Sequence, residues 1–256
     1  MASLKAVKGL NKKVASATDV TDTLGGGSPI PCGVHKAKII SNYLKEYDSG
    51  AMALHLEFKL LELDDRRFNT TLWVTGSDGK VTSEYNGKVS PKRGYLLADA
   101  LALIATDMEA GLFDDLDEEE KVFEVREDGK DVKRKFTSLT ELNGVVVLLG
   151  IVSRESYKRA KNEASGEYED TDDIVTDTSI KAVFNEDEFT VSELSKELKE
   201  PEFITQFEDK YEGVTVIPMS EAQIKKHEKA KRSSGGSVRN ASVGGKSRGN
   251  RRLLNR

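Results

Sequence analysis

Residues 33–75 read GVHKAKIISNYLKEYDSGAMALHLEFKLLELDDRRFNTTLWVT, and this stretch decides the fold. Apolar and polar residues alternate in it with the period of two that is typical of β-strands with one buried face. The inner rows of the second and third strands are Leu54, Leu56, Phe58 and Leu60, then Phe68, Thr70, Leu72 and Val74. We therefore predict three consecutive antiparallel strands, over 34–43, 51–63 and 67–75.

Trp73 is the only tryptophan in the chain, and it falls in the outer, polar row of the third strand with Arg67 and Asn69. An indole on a solvated sheet face beside cations is a surface on which unpaired bases stack, for about 1–3 kcal/mol per base. We predict that Trp73 stacks on bases beside Asn69, and that Arg67 and Lys59 contact phosphates. A slip of one residue in strand register would instead place Trp73 in the core.

The sequence after this meander indicates one helix and further strands. A proline at position 91 opens an apolar helix that ends near Gly111. A hairpin is predicted over 122–136, and the β-branched run 144–152 is typical of a buried strand. A polar loop over 154–178 then leads to a last short strand.

The predicted order is strand, strand, strand, helix, strand, loop, strand. This order matches the five-stranded oligonucleotide-binding (OB) barrel, in which a helix lies between strands three and four. We therefore predict a mainly β protein with an OB-fold barrel, the last strand being residues 180–184. Two peripheral helices are expected over 192–198 and 201–211.

Charge is distributed unevenly along the chain and divides it into three parts. The net charge is −5, but residues 225–256 contain 11 lysines and arginines and one acid, whereas the preceding 224 residues contain 28 and 43. We predict a flexible basic arm over 1–30, an OB domain over 31–217, and a basic, largely disordered tail over 218–256.

The small numbers of cysteines and histidines limit the disulfide bonds and zinc sites that the chain can form. Cys32 is the only cysteine and the three histidines are scattered, so the sequence supports neither an intramolecular disulfide nor a structural zinc site. No stretch resembles a secretion signal or reaches the length of a membrane span. We expect an intracellular protein without cofactor or membrane contact.

A second basic cluster lies at the start of the predicted loop between the last two strands. Basic residues interleaved with a tyrosine suit a surface that grips a backbone while a ring stacks, and this loop forms one wall of the groove in OB barrels. A mobile loop with scattered charge is the alternative. Arg93 lies at the start of the helix and either lines the same groove or caps the helix. The members of the loop cluster are Arg154, Tyr157, Lys158, Arg159 and Lys161.

The acidic run over 167–177 raises the alternative of a metal-dependent nuclease. The run lies in a predicted polar loop, however, where no rigid element holds several carboxylates at metal-bonding distance. The sequence also lacks a phosphate-binding P-loop, a nucleophile elbow and a zinc-protease motif. We therefore expect no catalysis.

The carboxy-terminal tail has three candidate uses: contact with phosphates, docking on a protein partner, or solubility alone. Attraction to a polyanion is strongly salt-dependent. Arginines around a pair of leucines are more typical of a short docking motif with apolar anchors. The residues concerned are Lys246, Arg248, Arg251, Arg252, Leu253, Leu254 and Arg256.

Four segments of the chain resemble bacteriophage single-stranded DNA-binding proteins of the podovirus type with a basic carboxy terminus. They are GVHKAK at 33–38, LHLEFK at 54–59, TLWVT at 71–75 and LNGVVVLLGI at 142–151. The resemblance implies an OB-fold that coats unpaired phage DNA in the host cytoplasm during replication, recombination and repair, without cofactor or turnover.

The same resemblance suggests partners. We expect Tyr43, Tyr85 and Tyr157 to stack on bases with Trp73, and copies of the chain to associate on DNA. The basic tail is expected to recruit host RNA polymerase or phage replication proteins. A regulatory, transcription-activating phage protein that acts mainly through protein contacts is the alternative function.

Overall fold

The computed structural model describes residues 29–112, 114, 116–127, 129–162 and 166–234. The predicted arm over 1–30, apart from its last two residues, and the tail beyond residue 234 lie outside the described residues. Within the described ranges, no helix is long and apolar enough to cross a membrane.

Nine strands and four helices make up the described chain. The strands are β1 Gly33–Glu46, β2 Met52–Leu60, β3 Arg66–Trp73, β4 Thr82–Tyr85, β5 Lys88–Pro91, β6 Glu118–Glu127, β7 Lys130–Leu139, β8 Val146–Lys161 and β9 Tyr168–Phe184. The helices are α1 Arg93–Ala105, α2 Val191–Leu194, α3 Phe203–Tyr211 and α4 Glu221–Ser234.

Seven strands form one large antiparallel sheet with the order β3-β2-β1-β7-β6, and β8 joins it by pairing with β1 and with β9. The strands β4 and β5 form a separate hairpin. The prediction of a mainly β fold is confirmed, but the sheet is not closed and it has more than five strands.

Two strands share one edge of β1. Residues 33–38 of β1 pair with 151–146 of β8, and farther along Leu44 pairs with Thr137 of β7. The buried Asn42 reinforces this second junction, since its side-chain amide donates to the Leu139 carbonyl and accepts from the Leu139 N–H, both at 2.9 Å. The base of the β6–β7 hairpin is thereby clamped to β1.

One prediction about the second half of the chain is wrong: the polar segment 154–178 is not a loop, because β8 and β9 extend through most of it. Residues 221–234, at the start of the predicted tail, form α4. The described residues divide into two compact units, one comprising 29–156 with Ile174–Ile217, the other Tyr157–Asp173 with 218–234.

The core of the first unit follows from the alternation in β2 and β3. Their inner residues are buried, with Leu54 and Phe58 fully enclosed, and α1 packs on them through Leu97, Ala98, Leu101 and Ala102. These four positions lie on one face of a helix. A second cluster joins α3 to β8 and β9, where Gly150 leaves the space that Phe207 fills.

Candidate nucleic-acid interface

Trp73 lies at the end of β3 and is 49% exposed, whereas its neighbours Leu72 and Val74 are buried. Its cross-strand partner is Ala53 of β2. The alternation therefore predicted the correct face, and the register slip that would bury Trp73 is wrong. The start of α1 fixes the backbone from behind, because a Cβ on Gly94 would lie only 2.3 Å from the Trp73 carbonyl oxygen.

Trp73 is one end of a continuous series of rings. The Trp73 and Tyr47 ring centroids are 4.8 Å apart, and the Tyr47 hydroxyl bonds to Nε2 of His55 at 3.0 Å. His55 stacks on Tyr43 with centroids 4.6 Å apart and planes within 8°, and Tyr43 stacks on Phe136 at 4.6 Å. We call the series the aromatic row; its members are Trp73, Tyr47, His55, Tyr43, Phe136 and Phe123.

Strand pairing accounts for the row. Tyr43 of β1 lies directly opposite His55 of β2, which lies opposite Thr71 of β3, and side chains opposite one another on a sheet face touch. The β6–β7 hairpin adds Phe123 and Phe136, which lie against Tyr43 because the hairpin base is clamped to β1. Four members of the row line an open groove of about 990 Å³: Tyr43, Tyr47, His55 and Phe123.

Both ring nitrogens of His55 are engaged inside the protein. Thr71 Oγ1 bonds to Nδ1 at 3.1 Å, and the Tyr47 hydroxyl bonds to Nε2. Burial lowers the pKa of His55, and the positive charge of Lys45 lowers it further. His55 is therefore neutral near pH 7, and neither of its nitrogens is free to read a base.

Tyr43 is also held uncharged. Burial raises the pKa of its phenol, and the nearby Tyr47 adds to the rise. Lys45 lies over the row, with its Nζ 5.1 Å from the Tyr47 ring centroid and 5.7 Å from that of Phe136. Arg126, Glu57 and Glu124 also line the groove, so it combines neutral rings with charges of both signs. The rings suit bases, and the two cations suit backbone phosphates.

The two cations predicted to contact phosphates beside Trp73 are already paired. Arg67 Nη1 lies 2.5 Å from Glu57 Oε1, and Lys59 Nζ lies 2.8 Å from Asp65 Oδ2. Both cations are at least partly exposed, and such surface pairs contribute only about 0–1 kcal/mol. A phosphate can therefore replace Glu57 or Asp65 as the partner of these cations at little cost in free energy. Asn69 is exposed and lines the groove, as predicted.

Another group of cations has no carboxylate partner among the described residues. Arg93, at the start of α1, donates from Nη2 to the Lys181 carbonyl of β9 at 2.8 Å. Burial lowers the pKa of the Lys181 amine, and the charges of Arg93 and Arg154 lower it further. We call these three residues the cation cluster; it begins one residue before Gly94, which touches the Trp73 backbone.

Tyr85 does not join the aromatic row. It lies at the end of β4, is 79% exposed, and makes no ring contact with the described residues of the row. The geometry therefore does not favour base stacking by Tyr85 and Trp73 together.

The remaining predicted residues lie in the second unit. Tyr157 stacks on His227 of α4 with centroids 3.8 Å apart, and Asp172 Oδ1 holds His227 Nε2 at 3.0 Å. One face of the Tyr157 ring is thus covered by the protein itself. Arg159 donates to the Tyr168 carbonyl at 2.9 Å. Lys158 and Lys161 are exposed.

Sequence reasoning missed five members of this interface: Tyr47, His55, Phe123, Phe136 and Lys181. A signal existed for the first two, because Tyr43, Tyr47 and His55 all lie in the stretch that decides the fold. The predicted tail residues from Lys246 to Arg256 lie outside the described residues. In the described part of the chain, no group of three or more His, Cys, Asp or Glu side chains could hold a metal ion.

A scan against protein-family models and searches of the curated proteins and of the solved structures find no match to this chain.

Proposed function

We propose that this protein binds and coats single-stranded DNA without strong sequence specificity during phage DNA replication and recombination. The observation that carries the proposal is the row of six rings, four of which line an open groove and one end of which is the exposed Trp73. The phage setting rests on the resemblance of four sequence segments to phage single-strand binders.

Base stacking supplies the preference for single strands. The faces of unpaired bases are free to stack on rings, whereas the bases of a duplex are already stacked on one another. Stacking does not read base identity because every base has a π-face. His55 does not discriminate between bases, because Thr71 occupies its Nδ1 and Tyr47 occupies its Nε2. Binding is therefore tolerant of sequence.

Phosphate contacts come from Lys45 and from the cation cluster. Lys45 lies over the Tyr47 and Phe136 rings. Arg93 of the cluster precedes Gly94, whose backbone lies against that of Trp73. Each phosphate neutralised on a single strand contributes a slope of about −0.7 to the dependence of log K on log salt. The acidic character of the whole chain does not oppose this, because charges beyond about 10 Å are screened at 0.1 M salt.

We further propose that the open sheet is a variant of the OB-fold. Strands β1, β2, β3, β8 and β9 supply five strands in the order of that barrel, and α1 lies between the third and fourth of them. The β6–β7 hairpin is then an insertion that carries Phe123 and Phe136 to the groove. Among the described residues no observation favours the nuclease alternative, and the transcription-regulating alternative rests on tail residues alone.

The test is a titration of the intrinsic fluorescence of Trp73, which is the only tryptophan. We expect quenching by an oligothymidine and by a mixed-sequence single strand with similar affinities, and binding to the matched duplex that is at least tenfold weaker. The titration is repeated at two salt concentrations to obtain the part of the binding free energy that comes from phosphate contacts. Equal affinity for single strand and duplex contradicts the proposal.

A further inference from the structure

A second groove of the first unit lies away from the aromatic row, between α1, β9, α2 and α3. Its volume is about 460 Å³, which is within the range of roughly 300–1,000 Å³ of pockets that hold small ligands. Ala182, Val183 and Val191 contribute to its apolar lining. Leu198 and Phe203 also line it and stay 37% and 42% exposed. Apolar surface is therefore open to a partner.

The groove is built before any partner arrives. The carboxylate of Glu193 accepts hydrogen bonds from the backbone N–H groups of Thr190, Glu202 and Phe203, at 2.8–2.9 Å. These bonds fix the start of α2 against the start of α3, which are two walls of the groove. Binding of a partner therefore costs little conformational entropy in the groove itself.

The chain around the groove is strongly acidic. Residues 186–212 contain ten carboxylates and three lysines, and each of these carboxylates except that of Glu193 belongs to an exposed residue. Lys196 lines the groove as well, and so does Lys181, beside which Arg93 and Arg154 lie. The β9 side of the groove is therefore positive, whereas the carboxylates are on the side of α2 and α3. A partner with apolar side chains and cations that reach the α2–α3 side matches this distribution.

One segment of this chain has that chemistry. Residues 251–256 read Arg-Arg-Leu-Leu-Asn-Arg, so that two leucines are flanked on both sides by arginine. The sixteen residues 235–250 before them can span up to about 55 Å when extended. This length is sufficient to reach a neighbouring molecule.

We propose that residues 251–256 of one copy dock in the α1–β9–α2–α3 groove of a second copy, with Leu253 and Leu254 against the apolar lining and the arginines against the acidic surroundings. The contact is head-to-tail, so it links copies into chains of molecules. On a coated strand the neighbours are held together, and the high effective concentration makes a weak contact sufficient. The inference does not require that DNA binding be correct.

The experiment is sedimentation velocity of the full chain, without DNA, over a range of concentrations. Leu253→Ser with Leu254→Ser alters the tail, and Leu198→Glu alters the groove. Ile174→Glu is the matched control, because Ile174 is an exposed apolar residue at 57% outside the groove. We expect the tail and groove variants each to weaken self-association by roughly tenfold or more, and the control to leave it unchanged.

Mixing the tail variant with the groove variant gives a sharper result. The intact tail of one and the intact groove of the other can form one junction, so dimers are expected in the mixture and in neither variant alone. A wild-type chain that stays monomeric at high concentration overturns the proposal. So does self-association that both variants retain, or a tail variant whose only defect is weaker binding to a short oligonucleotide.

Trp73→Ala separates this inference from the proposed function. It is expected to leave self-association unchanged, since Trp73 does not line the second groove. Failure of DNA binding and failure of tail docking are thus seen in different measurements.

Discussion

Replacing Trp73 by alanine is expected to weaken DNA binding far more than it destabilises the fold. The indole is half exposed and its recorded ring partner is Tyr47, while the buried neighbours Leu72 and Val74 are untouched. An aromatic pair contributes about 0.5–1.5 kcal/mol, so the free energy of unfolding falls by an amount of that order. A lost base stack costs about 1–3 kcal/mol, which corresponds to a rise in Kd of roughly 5- to 150-fold.

The assay for Trp73→Ala is fluorescence anisotropy of a labelled oligothymidine, with urea unfolding measured in parallel. Tyr85→Ala is the matched control, because it removes an exposed aromatic side chain that is not part of the aromatic row. The slope of log K against log salt is expected to stay constant in both variants, since neither removes a phosphate contact. A Kd within twofold of wild type, or an equal loss in Tyr85→Ala, refutes the stacking argument.

Three further substitutions test other parts of the structure. Lys181→Gln removes one charge of the cation cluster and is expected to make the salt slope shallower by about 0.7, whereas Lys88→Gln serves as an exposed-lysine control. Gly94→Ala places a Cβ 2.3 Å from the Trp73 carbonyl oxygen and is expected to lower stability by about 1–3 kcal/mol, measured by thermal unfolding. Burial raises the pKa of Glu193, but its hydrogen bonds outweigh burial and leave that pKa below the ordinary value. Its stabilising contribution is present above about pH 4.5 and is lost as the pH falls below that value. Glu193→Gln should therefore destabilise the protein at pH 7, and the difference from wild type should shrink in urea unfolding at pH 3.

Local patterns in the sequence were sufficient to predict the strands that carry Trp73. The period of two in β2 and β3 separates Leu54 and Phe58 from His55 without any knowledge of the rest of the chain. It also placed Trp73 on the exposed face. The helix α1 was predicted for the same reason, because its apolar positions recur with helical spacing after Pro91.

The remainder of the site depends on pairings between distant segments. Phe136 meets Tyr43 only because β7 pairs with β1, more than ninety positions earlier in the chain, and local periodicity does not encode such a pairing. The polar composition of 154–178 favoured a loop, since this segment lacks the apolar alternation that marks a strand with one buried face. The basic composition of α4 gave no indication that this helix packs on the protein, although its residue His227 is only 8% exposed.

The Asn42 clamp has a mechanical consequence for the groove. The hairpin of β6 and β7 is fastened to β1 at its base, by the amide of Asn42 and the pairing of Leu44 with Thr137. Those two Asn42 bonds and one residue pair hold β7 at β1, so the register that brings Phe136 against Tyr43 depends on a single buried amide. Asn42 thus acts as the locating pin of the groove: it sets where the hairpin rings stand although it is itself no part of the groove lining.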